Sequence, residues 1–168
     1  MTLAPRSFDN LADAYRMALE EELSGAGFFA ALALDQSDAR QAGLLRLMEL
    51  MELKTAALMT PGARVLGIAP RDAATLRAEG ISDAAPWSSI GWDGILGRMA
   101  DEFPVYLEEF VGLLSRCPPE LKPPVQMLCD HEVAIIDFAR AERAGADGTG
   151  ILIGYLRQAD ACLVGRTG

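Results

Sequence analysis

Apolar residues recur at three- and four-residue steps along four long stretches of the chain, the spacing of amphipathic helices. The first stretch runs from about Asp9 to Leu34, with Asp9 or Asn10 as its cap and Leu11, Tyr15, Ala18, Leu19, Ala26 and Phe29 on one stripe. The second runs from about Asp38 to Met59 on Leu44, Leu45, Met48, Met51, Ala56 and Met59, and Thr60-Pro61-Gly62 predicts its end. The third spans about Asp93 to Arg116, where Pro104 predicts a kink or a restart. The fourth starts near Pro124, a first-turn proline, and ends at Gly145. Residues 61–92 break the pattern. "APRDAATLRAEG" predicts a short helix from Asp72 to Gly80, and "ISDAAPWSSIGW" predicts a loop that holds Trp87 and Trp92. That length exceeds a hairpin between neighbouring helices and predicts a crossover from one end of a bundle to the other. "ILIGYLRQADACLVG" predicts a further short helix, packed on the bundle or on a second subunit. The expected fold is all-α: a four-helix bundle with one long crossover between helices 2 and 3, plus a short C-terminal helix. One domain is expected over 1–168, with a core bundle at about 9–145 and a tail at about 149–165.

Composition narrows the choice of partners. The chain has 168 residues, 51% hydrophobic but only 7% aromatic, so its apolar bulk is the aliphatic kind that suits helix packing. A net charge of −9 with no basic stripe argues against nucleic acid as a partner. No run approaches a bilayer span, and "MTLAPRSFDN" has no apolar leader segment, so no membrane association and a cytoplasmic location are expected. Cys117, Cys129 and Cys162 form no metal or redox spacing and read as reduced thiols. No phosphate loop, serine elbow or zinc-protease motif is present.

The candidate chemistry lies in carboxylates on the apolar stripes, because a buried carboxylate must be paired, protonated or bound to a cation. Each long stretch holds one. Glu22 stands among Leu19, Ala26 and Phe29, and Glu52 among Met48, Ala56 and Met59. Glu102 stands among Ile95, Met99 and Tyr106, with Glu109 one heptad on, and Glu132 stands among Val125, Leu128 and Ile136. Glu22 and Glu52 are 30 residues apart (52 − 22), as are Glu102 and Glu132 (132 − 102). Two similar helix pairs are implied, each with two inward carboxylates at matched depth.

"LMELKTAALM" and "LCDHEVAIIDFARAERAG" resemble the second and fourth helices of the ferritin-like superfamily, nearer its rubrerythrin-like branch. The resemblance covers roughly residues 9–145. It implies a bundle centre in which helices 1 and 3 each give a Glu and helices 2 and 4 each give Glu-x-x-His, together holding two iron or manganese ions. On this chain it places the carboxylates at Glu22, Glu52, Glu102 and Glu132, with Glu109 competing with Glu102. Both histidine positions are substituted, by Thr55 and Ile135, so the standard di-iron site cannot form as written.

Three outcomes follow for function. On ligand count the favoured one is a degenerate, metal-free centre in a bundle that binds a small molecule or a protein. The alternative is an atypical di-metal (Fe or Mn) oxidase or peroxidase of rubrerythrin-like type, acting on oxygen or peroxide, with His131 as an added ligand and Tyr106 bonding what binds there. In the third outcome the glutamates sit at the stripe edges and face water, as the run Glu20-Glu21-Glu22 would allow. His131, the one histidine, lies a residue off the stripe and reads as packed or half-exposed rather than ligating. The methionines and Cys129 read as core, and the two tryptophans as cover for an apolar edge. A homodimer is compatible with the apolar tail.

Overall fold

The computed structural model describes residues 4–165. Among them the chain is all-helical, with seven α-helices: α1 (Leu11–Asp35), α2 (Ala39–Val65), α3 (Ala73–Ala84), α4 (Gly91–Glu102), α5 (Pro104–Arg116), α6 (Lys122–Arg143) and α7 (Thr149–Val164). Short 3₁₀ turns at Ala85–Trp87 and Pro119–Leu121 lead into α4 and α6. No described helix is long and apolar enough to cross a membrane.

Local chemistry sets most of the boundaries. Asn10, Asp38 and Asp72 each accept the backbone N–H three residues on, at 2.8–2.9 Å, which caps α1, α2 and α3. Gly67 and Gly145, at φ 67° and 77°, turn the chain out of α2 and α6. The N–H groups of Ile68 and Ala146 then return to the carbonyls of Ala63 and Ala141, closing two Schellman ends. Pro104 restarts the third stretch as α5 after a break at Phe103.

Two expected stops are not stops. Helix α2 runs through Pro61 to Val65. The carbonyl that Pro61 leaves without a donor belongs to Ala57, and both residues are exposed, so that carbonyl lies on the solvent side of the helix. Helix α3 likewise runs past Gly80 to Ala84. Gly80 is there for packing: a methyl carbon on it would lie 1.8 Å from the Ser24 carbonyl oxygen, and one on Gly27 would lie 2.1 Å from the Arg77 carbonyl oxygen. The two glycines let the backbones of α1 and α3 touch.

Helix α1 packs along α2 and α3, α2 meets α6 and α7, and both α4 and α5 lie on α6. The apolar interior falls into two clusters. One joins Phe29, Leu45, Met48, Met99, Ile135 and Phe138. The other joins Tyr15, Leu19, Met59, Phe110, Val125 and Leu128. Along α1, α2 and α6 the chain passes from one cluster to the other through a short polar stretch, and Glu22, Glu52, Thr55, His131 and Glu132 are buried there. The tail helix α7 packs on α2 and α6 of the same chain, burying Leu152, Tyr155, Leu156 and Ala159.

Gly80→Ala should lower stability by about 2–3 kcal/mol in chemical denaturation, since two backbones cannot give way to a methyl group. Helix propensity alone predicts a gain of about 1 kcal/mol for the same change. An unchanged or raised midpoint would contradict the close packing of α1 on α3.

Candidate metal centre

Three consecutive glutamates on α1 point in three directions, as the 100° step of a helix requires. Glu20 accepts from the backbone N–H and the Nε of Arg71, at 3.0 and 2.9 Å. Glu21 pairs with Arg6. Glu22 points inward, where only 2% of the residue is exposed, and faces His131 of α6. Glu52 approaches the same imidazole from α2. Gly25 makes room for it, since a methyl carbon there would stand 2.6 Å from the Glu52 carboxyl carbon.

His131 lies between the two carboxylates. Its Nδ1 is 3.4 Å from Glu22 Oε2 and its Nε2 is 3.4 Å from Glu52 Oε1. Neither ring nitrogen, nor Glu22 Oε2, has a hydrogen-bond partner. One ligand atom from each of Glu22, Glu52 and His131 lies within 4.8 Å of the other two. Oxygen and nitrogen ligands held about 2.1 Å from one ion stand roughly 3–3.5 Å apart around it. Each 3.4 Å separation is longer than a direct charge-assisted hydrogen bond, and because the two use opposite ring nitrogens, only one of them is a ligand-to-ligand distance around a single cation.

The centre is closed behind and open in front. Thr55 stands where the resemblance called for histidine. Its hydroxyl donates to the Met51 carbonyl at 2.8 Å, so the 2.5 Å bond it shares with Tyr155 of α7 has the tyrosine as donor. The Tyr155 ring lies 5.6 Å from that of His131. In front, Glu21, Glu22, Glu52 and Glu132 line a cavity of about 640 Å³ whose outer wall includes Trp87, Arg98 and Glu102.

Burial governs the protonation of this layer. It pushes Glu132 up to about 8, with His131 opposing and Glu52 and Glu21 adding to the rise. It pushes Glu21 up to about 7 against the pull of Arg6. Burial also holds Glu22 well above the ordinary carboxylate value, with His131 opposing. For His131, burial favours the neutral ring, but the charges of Glu22 and Glu52 outweigh it and hold its value well above that of an ordinary histidine. Each of these shifts favours the protonated form of its group.

Of the carboxylates singled out from the sequence, the structure brings Glu22 and Glu52 together and places Glu132 beside them, buried on the cavity wall. Glu102 lines the cavity but is tied by both oxygens to Arg98, at 2.7 and 3.0 Å. Glu109 is covered by Arg6, which donates to it from its backbone and its side chain. Neither joins the cluster. His131, placed off the stripe by the sequence, is fully buried at its centre, and Glu22, Glu52 and Glu132 are buried rather than facing water. Glu21, Gly25 and Tyr155 were not anticipated as parts of the site. For His131 a signal existed, since Met127, Leu128, Ala134, Ile135 and Phe138 surround it at helical spacing and all are buried.

No protein family, no curated protein and no solved structure matches the chain.

The raised values set a pH dependence with a definite sign. A carboxyl whose folded pKa lies above its unfolded one binds more protons in the folded state, so stability falls as pH rises through that window. For Glu132 the window runs from 4.5 to about 8. His131 acts in the same direction, contributing below its unfolded value and losing that contribution as pH rises through its folded one. In chelator-treated protein, urea denaturation should therefore show stability falling between pH 5 and 8.5. Glu132→Gln has no proton there to lose. It should flatten the profile and be more stable than wild type at pH 8.5 by roughly 1–3 kcal/mol. A wild-type profile that rises over that range would contradict the assignment.

Proposed function

We propose that this protein is a metal-binding helical bundle of the ferritin-like kind, in which Glu22, Glu52 and His131 hold one divalent ion of the iron and manganese class. The observation that carries the proposal is the set of three buried ligand atoms within 4.8 Å of one another, two of the three residues having ligand atoms with no hydrogen-bond partner. Two carboxylates and one imidazole suit Mn²⁺, Fe²⁺ or Zn²⁺ better than a soft ion. The ion takes one ring nitrogen, and the other ring nitrogen is left to orient the ring. The packing of α1 on α2 and of α4 and α5 on α6, joined through residues 73–90, supports a four-helix bundle with one long crossover. A bound Fe or Mn ion supplies one-electron chemistry toward a small oxidant such as oxygen or peroxide. The chain's own contribution is to hold the ion, to keep bulk water out from behind with Tyr155, and to offer the Tyr106 hydroxyl on the cavity wall. Burial raises the Tyr106 pKa, so that hydroxyl keeps its proton and can donate it.

A second function has its own observation. Both nitrogens of His131 face a carboxylate at 3.4 Å, the placement of an imidazolium that serves as a built-in cation in a metal-free scaffold. Metal content separates the two. Protein purified without a chelator or metal-affinity tag should carry about one equivalent of Fe or Mn per chain, and His131→Ala or Glu52→Gln should lose it. Gly25→Ala should fold and yet bind the ion weakly, because the methyl group displaces the Glu52 carboxylate. An ion at about 100 times its Kd should add about 2.7 kcal/mol to wild-type stability. An empty protein that Mn, Fe and Zn all fail to stabilise would favour the imidazolium scaffold.

A further inference from the structure

The cavity in front of the three metal ligands has a chemistry of its own. Two carboxylate oxygens outside the ligand set belong to its lining residues, Glu21 Oε2 and Glu132 Oε2, and both are buried without a hydrogen-bond partner. Glu132 is 6% exposed. Around them the wall is aromatic, with Phe28, Phe29, Trp87, Phe103 and Tyr106 among its residues. Edge-on contacts lock these rings together, at 5.0 Å between the centroids of Phe28 and Trp87 and 5.8 Å between those of Phe103 and Tyr106. Arg98 is the one basic residue in the lining, and it is engaged: both oxygens of Glu102 bond it, and its guanidinium lies 4.1 Å from the Trp87 ring centre.

A cation seated beside a carboxyl favours its ionised form, which only accepts hydrogen bonds, and the face of an aromatic ring is electronegative. What complements both must bring N–H donors, a positive charge and an apolar body. A phosphate or carboxylate ligand would meet six acidic residues and no free cation among the lining residues. Outside the first set the lining offers Glu21, Asp83, Glu102 and Glu132. Glu102 is bonded to Arg98, and among the described residues no three of these ligand groups stand close enough to hold a second metal ion. We propose that this cavity binds a small organic ammonium ion, a primary amine on an aromatic or aliphatic body, with its nitrogen on Glu132 and Glu21 and its body against Trp87 and Phe28. A volume of about 640 Å³ lies in the range that holds such molecules. Arg98 shows the same recognition within the chain, a cation held between Trp87 and a carboxylate. The proposal does not rest on the metal ion.

The test compares three probes of one shape: benzylamine, benzyl alcohol and benzoate. Trp92 packs against Phe138 and does not line the cavity, so Trp92→Phe leaves Trp87 as the fluorescent reporter. Calorimetry on the unaltered chain gives the same isotherms without that substitution. Both manganese-loaded and chelator-treated protein are titrated. Benzylamine should bind saturably to both forms, quench Trp87 and bind at least tenfold more tightly than benzyl alcohol, and benzoate should not bind. Glu132→Gln should weaken benzylamine at least fivefold and leave benzyl alcohol unchanged. Equal affinity for amine and alcohol, preference for benzoate, or no saturable amine binding would overturn the proposal. Amine binding without metal binding would remove the metal centre alone, and metal binding without amine binding would remove the amine site alone.

Discussion

Everything in this fold is arranged around carboxylates buried beside a single imidazole. Glu22, Glu52 and Glu132 come from three helices into one layer, and among the described residues His131 is the only basic side chain buried with them. A buried carboxylate without a partner costs several kcal/mol, so each must find a cation, a hydrogen-bond donor or a proton. The neighbouring acids solve the problem locally: Arg71 takes Glu20, Arg6 takes Glu21 and Glu109, and Arg98 takes Glu102. Among the described residues the inner three form no ion pair with an arginine, and Arg98, on the same cavity wall, is bonded to Glu102. What remains for them is protons, the charge of His131, or an ion from outside.

That shortage explains the form of the surroundings. The two apolar clusters meet the polar layer from opposite ends, which fixes its depth along α1, α2 and α6. Gly25 leaves room for the Glu52 carboxylate, and the Thr55–Tyr155 bond closes the rear with groups that compete for no ligand atom. The cavity opens on the side where α4 breaks into α5, with Glu102 and Phe103 at the break and Trp87 in the crossover. Layer, break and crossover thus give a buried acidic centre an aromatic antechamber.

Much of this was legible in the chain. The helical spacing of apolar residues gave the long elements, and the capping residues and Pro104 gave most of their ends. Pro61 and Gly80 misled because their meaning depends on packing: Pro61 sits on a wet face, and Gly80 sits where another backbone arrives. Glu22, Glu52 and Glu132 announced themselves by their apolar neighbours. Glu102 and Glu109 carried the same signal, but one is claimed by Arg98 a turn earlier and the other by Arg6 from a segment with no periodicity. His131 reads as peripheral only if α6 buries a single stripe. Helix α6 is packed by α2, α4, α5 and α7, so adjacent positions 100° apart are both interior.

The most direct measurement uses the fact that the chain has one histidine. Protein labelled with ¹⁵N-histidine and loaded with Mn²⁺ can be examined by pulsed electron paramagnetic resonance, in which a ligating nitrogen couples to the ion and any such coupling belongs to His131. The account predicts one directly bound histidine nitrogen at about one equivalent of manganese, lost in Glu52→Gln. Manganese bound with no ¹⁵N coupling, or a His131 ring that stays doubly protonated while manganese is present, would contradict it.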